Sequence, residues 1–113
     1  MRTIIAGGRD YYLNHNDISQ LDSLKDKISL VISGGARGVD SCGEKWAKDH
    51  NIPLEIYPAD WNTHGKSAGY IRNKQMAEVA ECCILFKGGR GTEMMFKLAK
   101  EYKLELYDFR VEG

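Results

Sequence analysis

Five short apolar runs punctuate the chain, at residues 3–6, 30–33, 54–57, 82–86 and 104–107. Each is too short for a helix, and most lack alternation, the pattern of strands buried on both faces of a parallel sheet. Between them the period lengthens to that of helices. Ile18, Leu21 and Leu24 follow a cap at Asn16. Val39, Cys42, Trp46, Ala47 and His50 form a second stripe, ending where Pro53 follows Asn51. Met76, Val79 and Ala80 form a third, and Met95, Leu98, Ala99 and Tyr102 a fourth. The order βαβαβαβαβ with right-handed crossovers predicts a three-layer α/β sandwich: a five-stranded, mainly parallel sheet with four helices on its two faces.

Ligands of such sheets sit outside the carboxyl ends of the strands, near the point where strand order reverses. The glycines fall there. Eight of the 12 lie in three segments, 7–8, 34–38 and 88–91, each directly after an apolar run. In Gly7-Gly8-Arg9-Asp10 the paired glycines allow a tight turn, and Arg9 offers a fork for phosphate. Ser33-Gly34-Gly35-Ala36-Arg37-Gly38 leads straight into a helix and would aim backbone donors at an anion. Asp40, in the first turn, either caps that helix or takes a ribose hydroxyl. Lys87-Gly88-Gly89-Arg90-Gly91-Thr92-Glu93 repeats the design after the fourth strand. No segment has the GxGxxG spacing. Gly65-Lys66-Ser67 is no P-loop, because Asp60 stands where the first glycine would be.

The segment 60–69 reads as a long irregular connection, and long loops in small domains usually serve function. Arg72 and Asn73 follow it at the start of the third helix, within reach of the crevice. Tyr11, Tyr12 and Trp61 are the candidates for stacking on a base, whereas Trp46, Met94 and Met95 read as core.

Composition narrows the partners. At 113 residues the chain suits one domain, and its 42% hydrophobic and 28% charged content is that of an ordinary globular protein. Sixteen basic residues balance sixteen acidic ones, which disfavours coating a long polyanion. Three cysteines, two of them adjacent, form no disulfide framework and fit a reducing compartment. They and the scattered histidines lack metal-ligand spacing, so no metal is expected. With no signal-peptide pattern and no membrane-length apolar window, a cytoplasmic protein without membrane partners is expected.

Ile32-Ser33-Gly34-Gly35-Ala36-Arg37-Gly38-Val39-Asp40-Ser41, with Gly7-Gly8-Arg9-Asp10, Pro58-Ala59-Asp60-Trp61, Ile71-Arg72-Asn73-Lys74-Gln75-Met76 and Arg90-Gly91-Thr92, resembles the YspA-like family of the SLOG superfamily. The resemblance implies a Rossmann-like fold and a nucleotide-type ligand, a phosphoribosyl or NAD-derived molecule such as ADP-ribose. It also implies a homodimer or higher homo-oligomer, as is common in the superfamily. The site it implies comprises Gly7, Gly8, Arg9, Asp10, Ser33, Gly34, Gly35, Ala36, Arg37, Gly38, Asp40, Arg72, Asn73, Gly88, Gly89, Arg90, Gly91 and Thr92, with ribose hydroxyls on Asp40 or Asp60. The 88–92 loop is also similar to the PGGxGTxxE motif of LOG phosphoribohydrolases, which cleave the N-glycosidic bond of a nucleoside monophosphate. Here Met95 occupies the position of their catalytic glutamate, so that activity would need a relocated acid, Glu93 or Asp60. A third precedent, DprA-like binding of single-stranded nucleic acid, ranks last on charge.

Overall fold

A computed structural model describes residues 1–110. Five strands, β1 (Arg2–Ala6), β2 (Leu30–Ser33), β3 (Leu54–Ile56), β4 (Cys82–Leu85) and β5 (Glu105–Asp108), form one sheet in the order β3-β2-β1-β4-β5. Every pairing is parallel, as the unalternating runs predict. The helices are α1 (His15–Leu24), α2 (Val39–Asp49), a single turn α3 (Trp61–His64), α4 (Ala68–Val79) and α5 (Arg90–Glu101).

The central strands β1, β2 and β4 are apolar at most positions because both faces are covered, and β4 is buried throughout. Ile5, Val31, Cys82 and Ile84 point into a core closed by Leu21 of α1 and by Val39, Trp46 and Ala47 of α2, with Phe86 beside them. Their neighbours Ile4, Ile32, Cys83 and Leu85 point the other way, against Met76 and Ala77 of α4 and Met95, Leu98 and Ala99 of α5. This is the period-two geometry of a strand serving two cores, and each large side chain so buried contributes about 2 kcal/mol. Both cysteines of the 82–83 pair are core residues, and burial raises both thiol pKa values. Trp46 is core as its position on the stripe predicts, with its indole N–H donating to Asp22 at 2.9 Å.

Two local expectations are corrected. The cap of α1 is Asn14, not Asn16: the Asn14 side chain accepts from the Asp17 N–H at 2.9 Å, and Asp17 accepts from the Asn14 N–H at 3.1 Å. This reciprocal box satisfies two donors at once, which a cap at Asn16 would not. Asn14→Ala should cost about 1 kcal/mol in urea unfolding, against almost nothing for Asn16→Ala. The segment 60–69 is also not irregular. It folds into α3, a turn of 3-10 helix at Gly65–Ser67 and the first residues of α4.

Strand order reverses between β1 and β4, because β2 and β3 build outward on one side and β4 and β5 on the other. The loops leaving β1 and β4 flank that reversal and are joined there by a hydrogen bond from the Gly8 N–H to the Lys87 carbonyl, 2.8 Å.

Candidate functional site

All three glycine segments meet at the carboxyl edge of the sheet, and much of what the glycines do there is to let loops touch one another. A Cβ on Gly7 would fall 2.6 Å from the Val39 side chain, and one on Gly8 3.0 Å from the Gly88 backbone. On Gly38, where φ is +75°, it would fall 2.3 Å from the Gly8 carbonyl. On Gly34 it would strike the Arg72 guanidinium at 2.5 Å, and on Gly88 the Thr92 hydroxyl. Gly89 and Gly91 differ, with open space where a Cβ would stand.

The backbone donors divide in the same way. Within the 34–38 loop, the Gly35 N–H donates to Ser33 Oγ at 3.2 Å and the Ala36 N–H to Asp40 Oδ2 at 3.2 Å. Ser33 is itself held by donating to Glu44 at 2.7 Å. Asp40 and Glu44, one helical turn apart on α2, thus brace this loop from below. Two of the donors expected to face phosphate at 34–38 are engaged within the loop itself. Asp40 does not cap α2, whose cap is Gly38 without a side-chain bond; its Oδ2 instead accepts from the Ala36 N–H. At the start of α5 the first-turn N–H groups lack intrahelical partners by geometry. The cap Gly89 adds no side-chain bond, and no other hydrogen bond reaches the Gly89, Arg90 or Gly91 N–H among the described residues.

A cleft of about 660 Å³ opens at this edge. Its walls carry Arg9, Lys66, Arg72, Lys87 and Arg90, five cations against the two acids Asp10 and Asp40. A chain of zero net charge therefore has a cationic cleft. Met76, Met94, Met95 and Tyr70 add an apolar wall, and Tyr11 and Trp61 also line it. A second cleft of about 400 Å³, lined by the 34–37 loop and Pro58-Ala59, shares Arg9, Ala36, Trp61 and Arg72 with the first. Arg9 lies over the Trp61 ring, 6.0 Å from its centroid.

Burial sets the charges at the junction. Asp40 is buried, and desolvation pushes its carboxyl up to about 6 despite the Ala36 N–H and the nearby Arg72. Burial likewise lowers the Arg72 pKa, with Asp40 acting against it and Arg9 with it. Arg72 donates to the Gly34 carbonyl at 2.5 Å and to Asn73 Oδ1 at 2.9 Å. It stands a full turn inside α4, not at the helix start, because α4 begins at Ala68.

The expected site residues sort accordingly. Gly7, Gly8, Arg9, Asp10, Ala36, Asp40, Arg72, Asn73, Gly88, Gly89, Arg90, Gly91 and Thr92 line the main cleft. Gly34, Gly35 and Arg37 line the second, where Arg37 pairs with Asp10 at 3.0 Å. Ser33 and Gly38 line neither and support the loops. The two proposed acids are not brought to either cleft. Glu93 faces the end of the sheet and pairs with Arg110 at 2.8 Å. Asp60 caps α3 by accepting from the Thr63 N–H at 3.1 Å, and Thr63 holds its carboxyl below the ordinary range. Tyr12 is exposed outside the clefts. Tyr70, Met76 and Met94 were not legible as wall residues. Met76 and Met94 lie on helices whose apolar stripes announce only core.

Among the described residues no cluster of three or more His, Cys, Asp or Glu could hold a metal ion, and no helix is long and apolar enough to cross a membrane.

Known proteins place the chain in context. Residues 1–64 match the model of the YspA, cpYpsA-related SLOG family. The Gene 61 protein of Mycobacterium phage D29 is 30% identical over 123 residues, spanning 96% of this chain and 97% of that protein. The crystal structure of TM1055, a structural-genomics target, superposes with a TM-score of 0.67 at 17% identity, over 94% of this chain and 72% of that one. Its likeness is one of fold, and the fold is Rossmann-like.

Proposed function

The chain belongs to the YspA, cpYpsA-related SLOG family, and on that premise we propose that it binds a nucleotide or phosphoribosyl-type ligand, of the ADP-ribose class at its largest, in the cleft at the carboxyl edge of its sheet. One observation carries the reading: the open N–H groups at Gly89–Gly91 lie in the wall of a cleft that also gathers five cations and an apolar surface. A helix N-terminus with open space before it takes a phosphate, the lysines and arginines offset its charge, and the methionines and Tyr70 receive a flat ring. Arg90 has no ion-pair partner among the described residues and is exposed, so its charge is available to a ligand and its loss spares the fold. Calorimetric titration with nucleoside mono- and diphosphates, NAD and ADP-ribose tests this. At least one should bind, and Arg90→Ala should weaken it about tenfold with thermal unfolding unchanged. Absence of binding by every member of the panel sinks the reading.

A second reading, hydrolysis of the N-glycosidic bond, is favoured by Asp40. It is a cleft-wall carboxyl whose pKa, pushed up to about 6, suits a general acid near neutral pH. Release of free base from a nucleoside monophosphate, lost in Asp40→Asn, supports it; absence of release at high protein concentration removes it. Assembly into a homo-oligomer and residence in the cytoplasm belong to the same proposal, by the family's precedent.

A further inference from the structure

Asn73 is the most deeply buried amide in the cleft wall, with 7% of its surface exposed. Its orientation is fixed by its neighbour. Arg72 Nε, which can only donate, meets Oδ1 at 2.9 Å, so the oxygen faces Arg72 and the amide nitrogen faces the other way. A flipped amide would set donor against donor. On its side Nδ2 finds only long partners, the Gly91 carbonyl at 3.4 Å and the Met94 sulfur at 3.7 Å. Neither is a full-strength hydrogen bond, and a buried N–H held this way gains from a better acceptor. Met76, Met94 and Met95, in the same wall, offer polarisable surface suited to an aromatic ring.

We propose that Asn73 is a specificity-determining residue, donating from Nδ2 to a carbonyl acceptor on the edge of the ligand's base, so that within the nucleotide class the site takes an oxo-substituted base over an amino-substituted one, and adenine-bearing members such as ADP-ribose bind more weakly than their oxo-base counterparts. The proposal rests on the nucleotide reading above. An exocyclic amino group in that place would meet Nδ2 donor to donor, leaving the amino group without an acceptor and Nδ2 with only its long partners, and sites built around a hydrogen bond discriminate strongly for that reason. The remaining acceptor capacity of Oδ1 does not relieve the conflict, because that oxygen is turned toward Arg72, on the opposite side of the amide from Nδ2.

The test compares matched pairs that differ in this group: inosine against adenosine monophosphate, and uridine against cytidine monophosphate. In calorimetric titrations the wild-type protein should bind the carbonyl-bearing member of at least one pair about tenfold more tightly or better. In Asn73→Leu, which keeps approximate volume, the preference should fall below about threefold; in Asn73→Asp it should shrink or reverse, since a carboxylate accepts from an amino group. The wild-type comparison needs no variant to fold. Equal affinity within both pairs, a preference for the amino member, or a preference unaltered in a folded Asn73→Leu would each overturn the assignment while leaving the nucleotide reading standing. Failure of all four monophosphates while another member of the panel binds would overturn the Asn73 assignment alone, and failure of the whole panel would overturn both.

Discussion

Gly38→Ala is expected to lower stability by about 4 kcal/mol, more than any other added methyl group at the carboxyl edge. Three effects coincide at this residue. Its backbone, at φ +75° and ψ −129°, lies where a side chain is strained. The new Cβ would stand 2.3 Å from the Gly8 carbonyl and 2.6 Å from that of Arg9. Both obstacles are backbone, so no rotamer change relieves them. That same Gly8 carbonyl accepts from the Val39 N–H at 3.1 Å, and displacing it disturbs the first turn of α2. For a chain of this length the loss corresponds to a melting temperature lower by about 15–20 °C. Gly91→Ala is the matching control. It lies inside α5 with nothing within 4 Å of the added carbon, so alanine should raise stability by about 0.5–1 kcal/mol. It should also weaken ligand binding by crowding the cleft. If both substitutions changed stability by similar amounts, the division of glycines into those that pack loops and those that leave room would be wrong.

Asp40→Asn is expected to remove about 3 kcal/mol of pH dependence from the fold. Burial raises the folded-state pKa of Asp40 from 3.8 to about 6. The folded protein therefore holds a proton between these values that the unfolded chain has released. Stability from this group is fully present below about pH 4, declines as pH rises, and is lost above about pH 6. The rise from 3.8 to about 6 is worth about 3 kcal/mol. Asparagine still accepts from the Ala36 N–H through its oxygen and carries no charge to desolvate. The difference in unfolding free energy, variant minus wild type, should grow by about that amount between pH 4 and pH 7, measured by urea unfolding. Other titrating groups cancel in the difference. Parallel curves for the two proteins would show that Asp40 is solvated in the native state.

The strands were legible because most run apolar without alternation, and the observed ends differ from the expected ones by at most one residue. The glycine segments were legible as a place. Their division of labour was not, because it depends on which loop lies against which. Gly38 and Gly91 look alike in sequence, yet a Cβ on the first would fall 2.3 Å from a carbonyl and one on the second would stand in open space. Asn14 was readable in principle from Asp17 three residues on, the spacing of a capping box. The turn α3 was hidden because four residues are too few to show a helical period, and none of them is buried. Asp40 was read as a cap or a ribose acceptor; its actual bond runs backward to Ala36, a contact that only the folded loop creates. Glu93 was drawn toward the cleft by its place beside Thr92, but α5 turns it toward Arg110.

The central claim is that a nucleotide phosphate sits at the start of α5 in the cationic cleft. Mapping backbone amide shifts by NMR, as a bound nucleoside phosphate or ADP-ribose is titrated in, tests this residue by residue. The largest changes should fall on Gly89, Arg90 and Gly91, with smaller ones in residues 7–10 and 66–73, and none at the opposite edge around Glu81 and Lys103. Changes centred on that opposite edge, or amides of Gly89–Gly91 unmoved at saturation, would contradict it.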